Sequence, residues 1–187
     1  RHGLCTTADH AEGVFNRDLP GPAQGAGQRR CQAFGLAADV RLRTAEQAQA
    51  GQSFTEAIRI KPEDILAHLL RGFAYAYKHD FDRAIADFTD AIRLDPANAV
   101  AYYNRGLAYD ELGQYDKAIA DYTEAIRIDP DDAWSYSNRG VAHRELGQYD
   151  KAIADCTEAI RLDPTDAVAY RNRGHAYTEK EDYDKAI

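Results

Sequence analysis

Residues 113–128, GQYDKAIADYTEAIRI, and 147–162, GQYDKAIADCTEAIRL, differ at two positions, Tyr122 against Cys156 and Ile128 against Leu162. The second stretch begins 34 residues after the first, and the same step recurs elsewhere: Arg-Gly falls at 71–72, 105–106, 139–140 and 173–174, and proline at 62, 96, 130 and 164. Two unrelated signals on one period define a copied structural unit, one that buries its apolar face by stacking on the next copy.

Inside 99–132 the pattern predicts two helices. The first runs from about Ala99 to Leu112 and breaks at Gly113; the second runs from about Tyr115 to Ile128 and is closed by Asp129-Pro130. Apolar side chains recur at helical spacing in both, at Tyr102, Tyr109 and Leu112, then at Ala118, Ile119, Tyr122, Ala125 and Ile126. Gly106 and Ala118 are small enough for two helix backbones to approach closely, and Ala125 leaves room for the next unit. A mid-helix glycine costs about 1 kcal/mol against alanine, so close packing is the physical reason to place one there.

These residues resemble the tetratricopeptide repeat. Residues 99–132 match its pattern with Tyr102, Gly106, Tyr109, Ala118, Tyr122, Ala125 and Pro130, and 133–166 with Tyr136, Gly140, Ala152, Ala159 and Pro164. Residues 65–98 match with Gly72, Tyr75, Ala84, Phe88, Ala91 and Pro96, and 167–187 open a truncated unit with Tyr170, Gly174, Tyr177 and Ala186. The resemblance implies an all-α fold, a right-handed α-solenoid of stacked antiparallel helix pairs. Phe54, Ala57 and Pro62 keep the phase upstream, so 31–64 reads as a degenerate unit, with Arg41 at a tyrosine place. Residues 1–30, with Leu19-Pro20-Gly21-Pro22 and Gly25-Ala26-Gly27, lack periodicity and read as a linker or disordered segment. One departure is systematic: arginine stands where the family usually has leucine before the glycine, at Arg71, Arg105, Arg139 and Arg173. Their stems are expected along the helix interface, with their heads reaching water or a nearby aspartate.

The net charge of −8 lies entirely on the repeats, since residues 1–64 carry eight basic and eight acidic side chains and 65–187 carry 15 and 23. An acidic array disfavours nucleic acid and anionic membrane surfaces as partners. No run approaches the ~20 apolar residues that span a bilayer. The chain begins at Arg1 and contains no methionine, which reads as a fragment or a processed piece. Cys5, Cys31 and Cys156 form no CxxC and no zinc-type pairing with histidine, which favours a reducing compartment such as the cytoplasm. Cys156 stands where the neighbouring units have Phe88 and Tyr122 and reads as a small buried apolar residue.

No catalytic set is visible, and neither a cofactor nor a metal is expected. His2, His10, His68, His79, His143 and His175 are scattered, and His68 and His143 replace tyrosines of the repeat pattern as core or interface fillers. Asp110/Glu111 and Asp131/Asp132 read as solvated or helix-start carboxylates. The resemblance does imply a concave surface lined by the first helices. By position it is formed by Leu66, Leu69, Phe73 and Tyr77 in one unit and by Tyr103, Asn104 and Leu107 in the next. Trp134, Asn138 and Val141 follow, and then Arg171, Asn172 and His175. Such a groove suits a peptide segment of a protein partner. A family subgroup clamps the terminal carboxylate of chaperone peptides with basic side chains; Asn104, Asn138 and Asn172 match its asparagine, but its basic places are filled here by residues such as Leu69, Tyr103 and Val168. The expected function is a protein-interaction scaffold or adaptor. Two alternatives are an accessory domain of a larger enzyme and a module that self-associates end to end through the truncated fourth repeat.

Overall fold

The computed structural model describes residues 44–180. Eight helices and no strand occur among the described residues: α1 Thr44–Ile60, α2 Ile65–Tyr77, α3 Phe81–Leu94, α4 Ala99–Glu111, α5 Tyr115–Ile128, α6 Ala133–Glu145, α7 Tyr149–Leu162 and α8 Ala167–Glu179. The readings of 1–30, of the first half of 31–64 and of 181–187 lie outside them. From α2 onward the helices alternate as first and second members of antiparallel pairs, and each packs on its sequence neighbours. The result is the right-handed solenoid expected of the repeat.

Local chemistry sets each boundary. Asp64, Asp80, Asn98, Asp132 and Asp166 cap helix starts by accepting a hydrogen bond from a backbone N–H of the first turn. Within two pairs the turn passes through a left-handed residue, Gly113 at φ +68° and Gly147 at +69°, where glycine carries no Cβ penalty. The first pair makes the same turn with His79 at φ +56°, so the backbone geometry is kept where the sequence signal is lost. Leu112, expected in the apolar stripe, is instead an exposed C-cap, because the helix has already ended at Glu111.

The glycines of α2, α4 and α6 are each a notch for a side chain 16 positions on. A Cβ at Gly72 would lie 2.7 Å from Phe88 Cε1, at Gly106 2.8 Å from Tyr122 Cε1, and at Gly140 2.9 Å from Cys156 Sγ. Phe88, Tyr122 and Cys156 are buried beside alanines that bring the backbones together. The Cys156 thiol is pushed up to about 12 by burial, so it packs as an apolar group and is not a nucleophile.

The repeated arginines do more than lie along the interface. Arg105 donates from Nε and Nη2 to both carboxylate oxygens of Asp121, at 2.7 and 2.8 Å, and from Nη1 to Thr89 Oγ1 at 3.0 Å. Arg71 treats Asp87 and Thr55 in the same way, and Arg139 treats Asp155 and Thr123. Each arginine therefore ties its own second helix to the second helix of the preceding unit. The guanidinium of Arg105 also lies 5.6 Å from the Tyr102 ring centroid, and Arg139 and Arg173 lie 5.4 and 5.5 Å from Tyr136 and Tyr170.

Because Asp121 is 5% exposed, removing its partner strands a buried charge. Arg105→Met is expected to cost about 3–5 kcal/mol in urea unfolding followed by helical circular dichroism, while Arg105→Met with Asp121→Leu recovers most of that loss.

Candidate peptide-binding groove

The first helices α2, α4, α6 and α8 form one wall of the solenoid, with α4 touching α6 and α6 touching α8 directly. Leu66, Tyr77 and Trp134 project from this set with 50%, 58% and 45% of their surface exposed. Arg171 and His175 are exposed on α8, and Phe73, Tyr103 and Val141 are half-buried. The Phe73 ring sits 5.4 Å from that of Phe88, so only one side of it is available.

Two positions assigned to the groove belong to the core. Leu69 is 1% exposed and packs with Ala84 and Phe88; Leu107 is 5% exposed and packs with Ala118, Tyr122 and Ala142. Their phase lies at the seam between the inner wall and the second helix of the same pair, and a leucine there turns into the seam. Tyr103, in the phase of Leu69, is longer and stays half-exposed, its ring 6.0 Å from that of Tyr122.

The asparagines are engaged within the wall. Asn104 Nδ2 donates to the Val100 carbonyl oxygen at 2.7 Å, Asn138 Nδ2 to Tyr103 Oη at 3.0 Å, and Asn172 Nδ2 to Ser137 Oγ at 3.4 Å. The last two bonds each join consecutive first helices, so they fix the spacing of the inner wall.

Between α4 and α6 a pocket of about 210 Å³ is lined by Asp110, Glu111, Tyr115, Val141 and Glu145. Sequence phase gave Asp110 and Glu111 as solvated carboxylates. Asp110 is in fact largely covered, its Oδ1 is buried without a hydrogen-bond partner, and its carboxyl is pushed up to about 7, chiefly by desolvation and then by Glu111 and Glu145. Arg144 pairs with Glu145 and, from Nε at 3.7 Å, with Glu179. The burial of Asp110 was not visible in its own helix because the residues that cover it come from the following unit.

A stack of helix pairs with an open, side-chain-lined inner wall is the architecture of a helical-repeat interaction module. The tetratricopeptide repeat profile matches residues 99–132 and 133–166, a second profile of that name matches 156–187, and a TPR repeat profile matches 75–113. The chain belongs to the tetratricopeptide repeat family. No curated protein matches it significantly. Among solved structures, MamA of Desulfovibrio magneticus RS-1 is 24% identical over 88% of this chain and 91% of its own, with a TM-score of 0.73, a likeness of fold alone. The Arabidopsis OM64 TPR domain is 32% identical over 62% of this chain and 96% of its own, with a TM-score of 0.60. The first TPR of Spaghetti (RPAP3), bound to the HSP90 peptide SRMEEVD, is 26% identical over 63% of this chain and 93% of its own, with a TM-score of 0.61. No described helix is long and apolar enough to cross a membrane.

Asp110 keeps its proton to a higher pH in the folded chain than in the unfolded one, where the ordinary value of 3.8 applies. Between those values the folded state binds the extra proton, so stability falls as pH rises from about 4 to about 7. Asp110→Asn is expected to raise stability by about 1–2 kcal/mol above pH 7 and to flatten the profile, as measured by urea midpoints across that range.

Proposed function

We propose that the chain is an interaction scaffold that holds an extended or helical segment of a protein partner against α2, α4 and α6. The observations that carry this reading are the exposed Leu66, Tyr77 and Trp134 on first helices and an acidic pocket, lined by Asp110, Glu111 and Glu145, at the ends of α4 and α6. Exposed aromatic and aliphatic side chains supply anchors of the kind that dominate interface energies. The carboxylates select charge, so the segment that fits carries apolar side chains and a lysine or arginine. Arg171, Asn172 and His175 extend the surface onto α8.

The RPAP3 domain holds an acidic peptide. This chain has Leu69, Tyr103 and Val168 where the carboxylate-clamping subgroup carries basic groups, and it places carboxylates between α4 and α6. An acidic chaperone tail is therefore a poor ligand, and the role is docking. Nucleic acid and membrane surfaces are disfavoured by the same negative charge.

The test is a peptide panel with one apolar framework that carries lysine, glutamine or glutamate at a single site. The lysine form is expected to bind about tenfold more tightly than the glutamate form, and the gap should shrink at high salt. Trp134→Ala should weaken it at least fivefold with unchanged thermal unfolding. Equal binding of the lysine and glutamate forms, or indifference to Trp134→Ala, overturns the reading.

A further inference from the structure

His68 departs from the tyrosine that the other units place under the repeated arginine, at Tyr102, Tyr136 and Tyr170. It is 4% exposed. Its Nε2 lies 3.0 Å from the carbonyl oxygen of Pro62, an atom that can only accept, so Nε2 carries the proton. Nδ1 has no hydrogen-bond partner. What it faces, at 3.6 Å, is Oδ1 of buried Asp87, another acceptor.

An imidazole nitrogen facing a carboxylate oxygen in a buried site is favourable only with a cation between them, either a proton on Nδ1 or a metal ion. The 3.6 Å spacing is compatible with an ion pair through a protonated Nδ1, as between His143 and Asp155 at 3.7 Å, and with a shared metal ion. A direct N–H···O bond would bring the atoms to about 2.7–3.2 Å. Two donors each about 2.1 Å from one zinc ion lie roughly 3.4–3.6 Å apart. Asp90, one turn beyond Asp87 on α3, brings a third donor, and the three ligand atoms lie within 4.8 Å of one another. Among the described residues no other group of this kind converges.

We propose that His68, Asp87 and Asp90 form a binding site for a divalent transition-metal ion, with Zn²⁺ the best match to one imidazole and two carboxylates. The Nε2–H to backbone carbonyl bond is the outer-shell contact that orients metal-ligating histidines. Arg71 donates to both oxygens of Asp87, yet a carboxylate oxygen has two lone-pair directions, and Oδ1 keeps one toward His68. Asp90 holds only an exposed pairing with Arg93, Nη2 to Oδ1 at 3.1 Å, which is weak and readily exchanged. The ion would join α2 to α3 inside the first full pair, stabilising that pair in proportion to occupancy. Sequence spacing excluded a metal because it looked for paired cysteines and histidines, whereas these donors meet across two helices.

The experiment uses the full chain stripped with EDTA and titrated with ZnCl2, with MgCl2 as the hard-cation control, read by calorimetry and by thermal unfolding. One zinc is expected to bind per chain and to raise the melting temperature, with no response to magnesium. His68→Tyr restores the residue of the other units and is expected to keep full helical content while losing the zinc response; Asp90→Asn should weaken binding on the order of tenfold or more. Absence of a zinc response in the parent chain, or an unchanged response in folded His68→Tyr, overturns the site. Neither variant alters Trp134 or the α4–α6 pocket, so the peptide panel is read independently.

Discussion

The bidentate contact between an arginine of α2, α4 or α6 and an aspartate 16 residues later is the interaction on which the array depends. A buried carboxylate is tolerable only when its charge and lone pairs are met, and the guanidinium meets both in one planar fork. Its remaining N–H reaches back to a threonine of the preceding unit, so one side chain sets the pairing inside a unit and the spacing between units. Leucine at that place would supply packing without direction. Arginine makes register a hydrogen-bond requirement.

Around that contact, glycine and alanine bring the helices together and aromatic rings fill the notch. The inner wall is then spaced by Asn138 and Asn172, each reaching the preceding first helix. Surface chemistry follows from this order. Side chains in phase with the seam are drawn into the core, as Leu69 and Leu107 are, while Leu66, Tyr77 and Trp134 point away from it. The carboxylates between α4 and α6 come close because two consecutive units meet there.

Much of this was legible in the chain. Helix limits in 99–132 could be read because capping residues, glycine and proline punctuate a clean period, and the structure differs there by one residue, at Leu112. The fold class followed because duplication leaves no other way to bury two apolar stripes. Groove membership was legible only in part, since helical phase gives a direction but not how deeply a side chain of given length sinks. The state of Asp110 and the approach of His68 to Asp87 depend on residues of other helices, which no single-helix pattern contains. The turn at His79 shows the converse, a geometry preserved where its glycine signature is absent.

The filling of the notches is unequal. Phe88 and Tyr122 each press a ring against a glycine, whereas Gly140 is met by Cys156 Sγ together with the Ala152 carbonyl oxygen and Asp155 Cβ. A sulfur makes fewer dispersion contacts than a ring, and in an assembly where every layer touches only its neighbours the difference has to be made up within the same pair. Between α6 and α7 the backbone of α7 closes the gap instead, with the Ala152 carbonyl oxygen 3.2 Å from where a Cβ on Gly140 would lie, so this layer is sealed by main chain where its neighbours are sealed by rings.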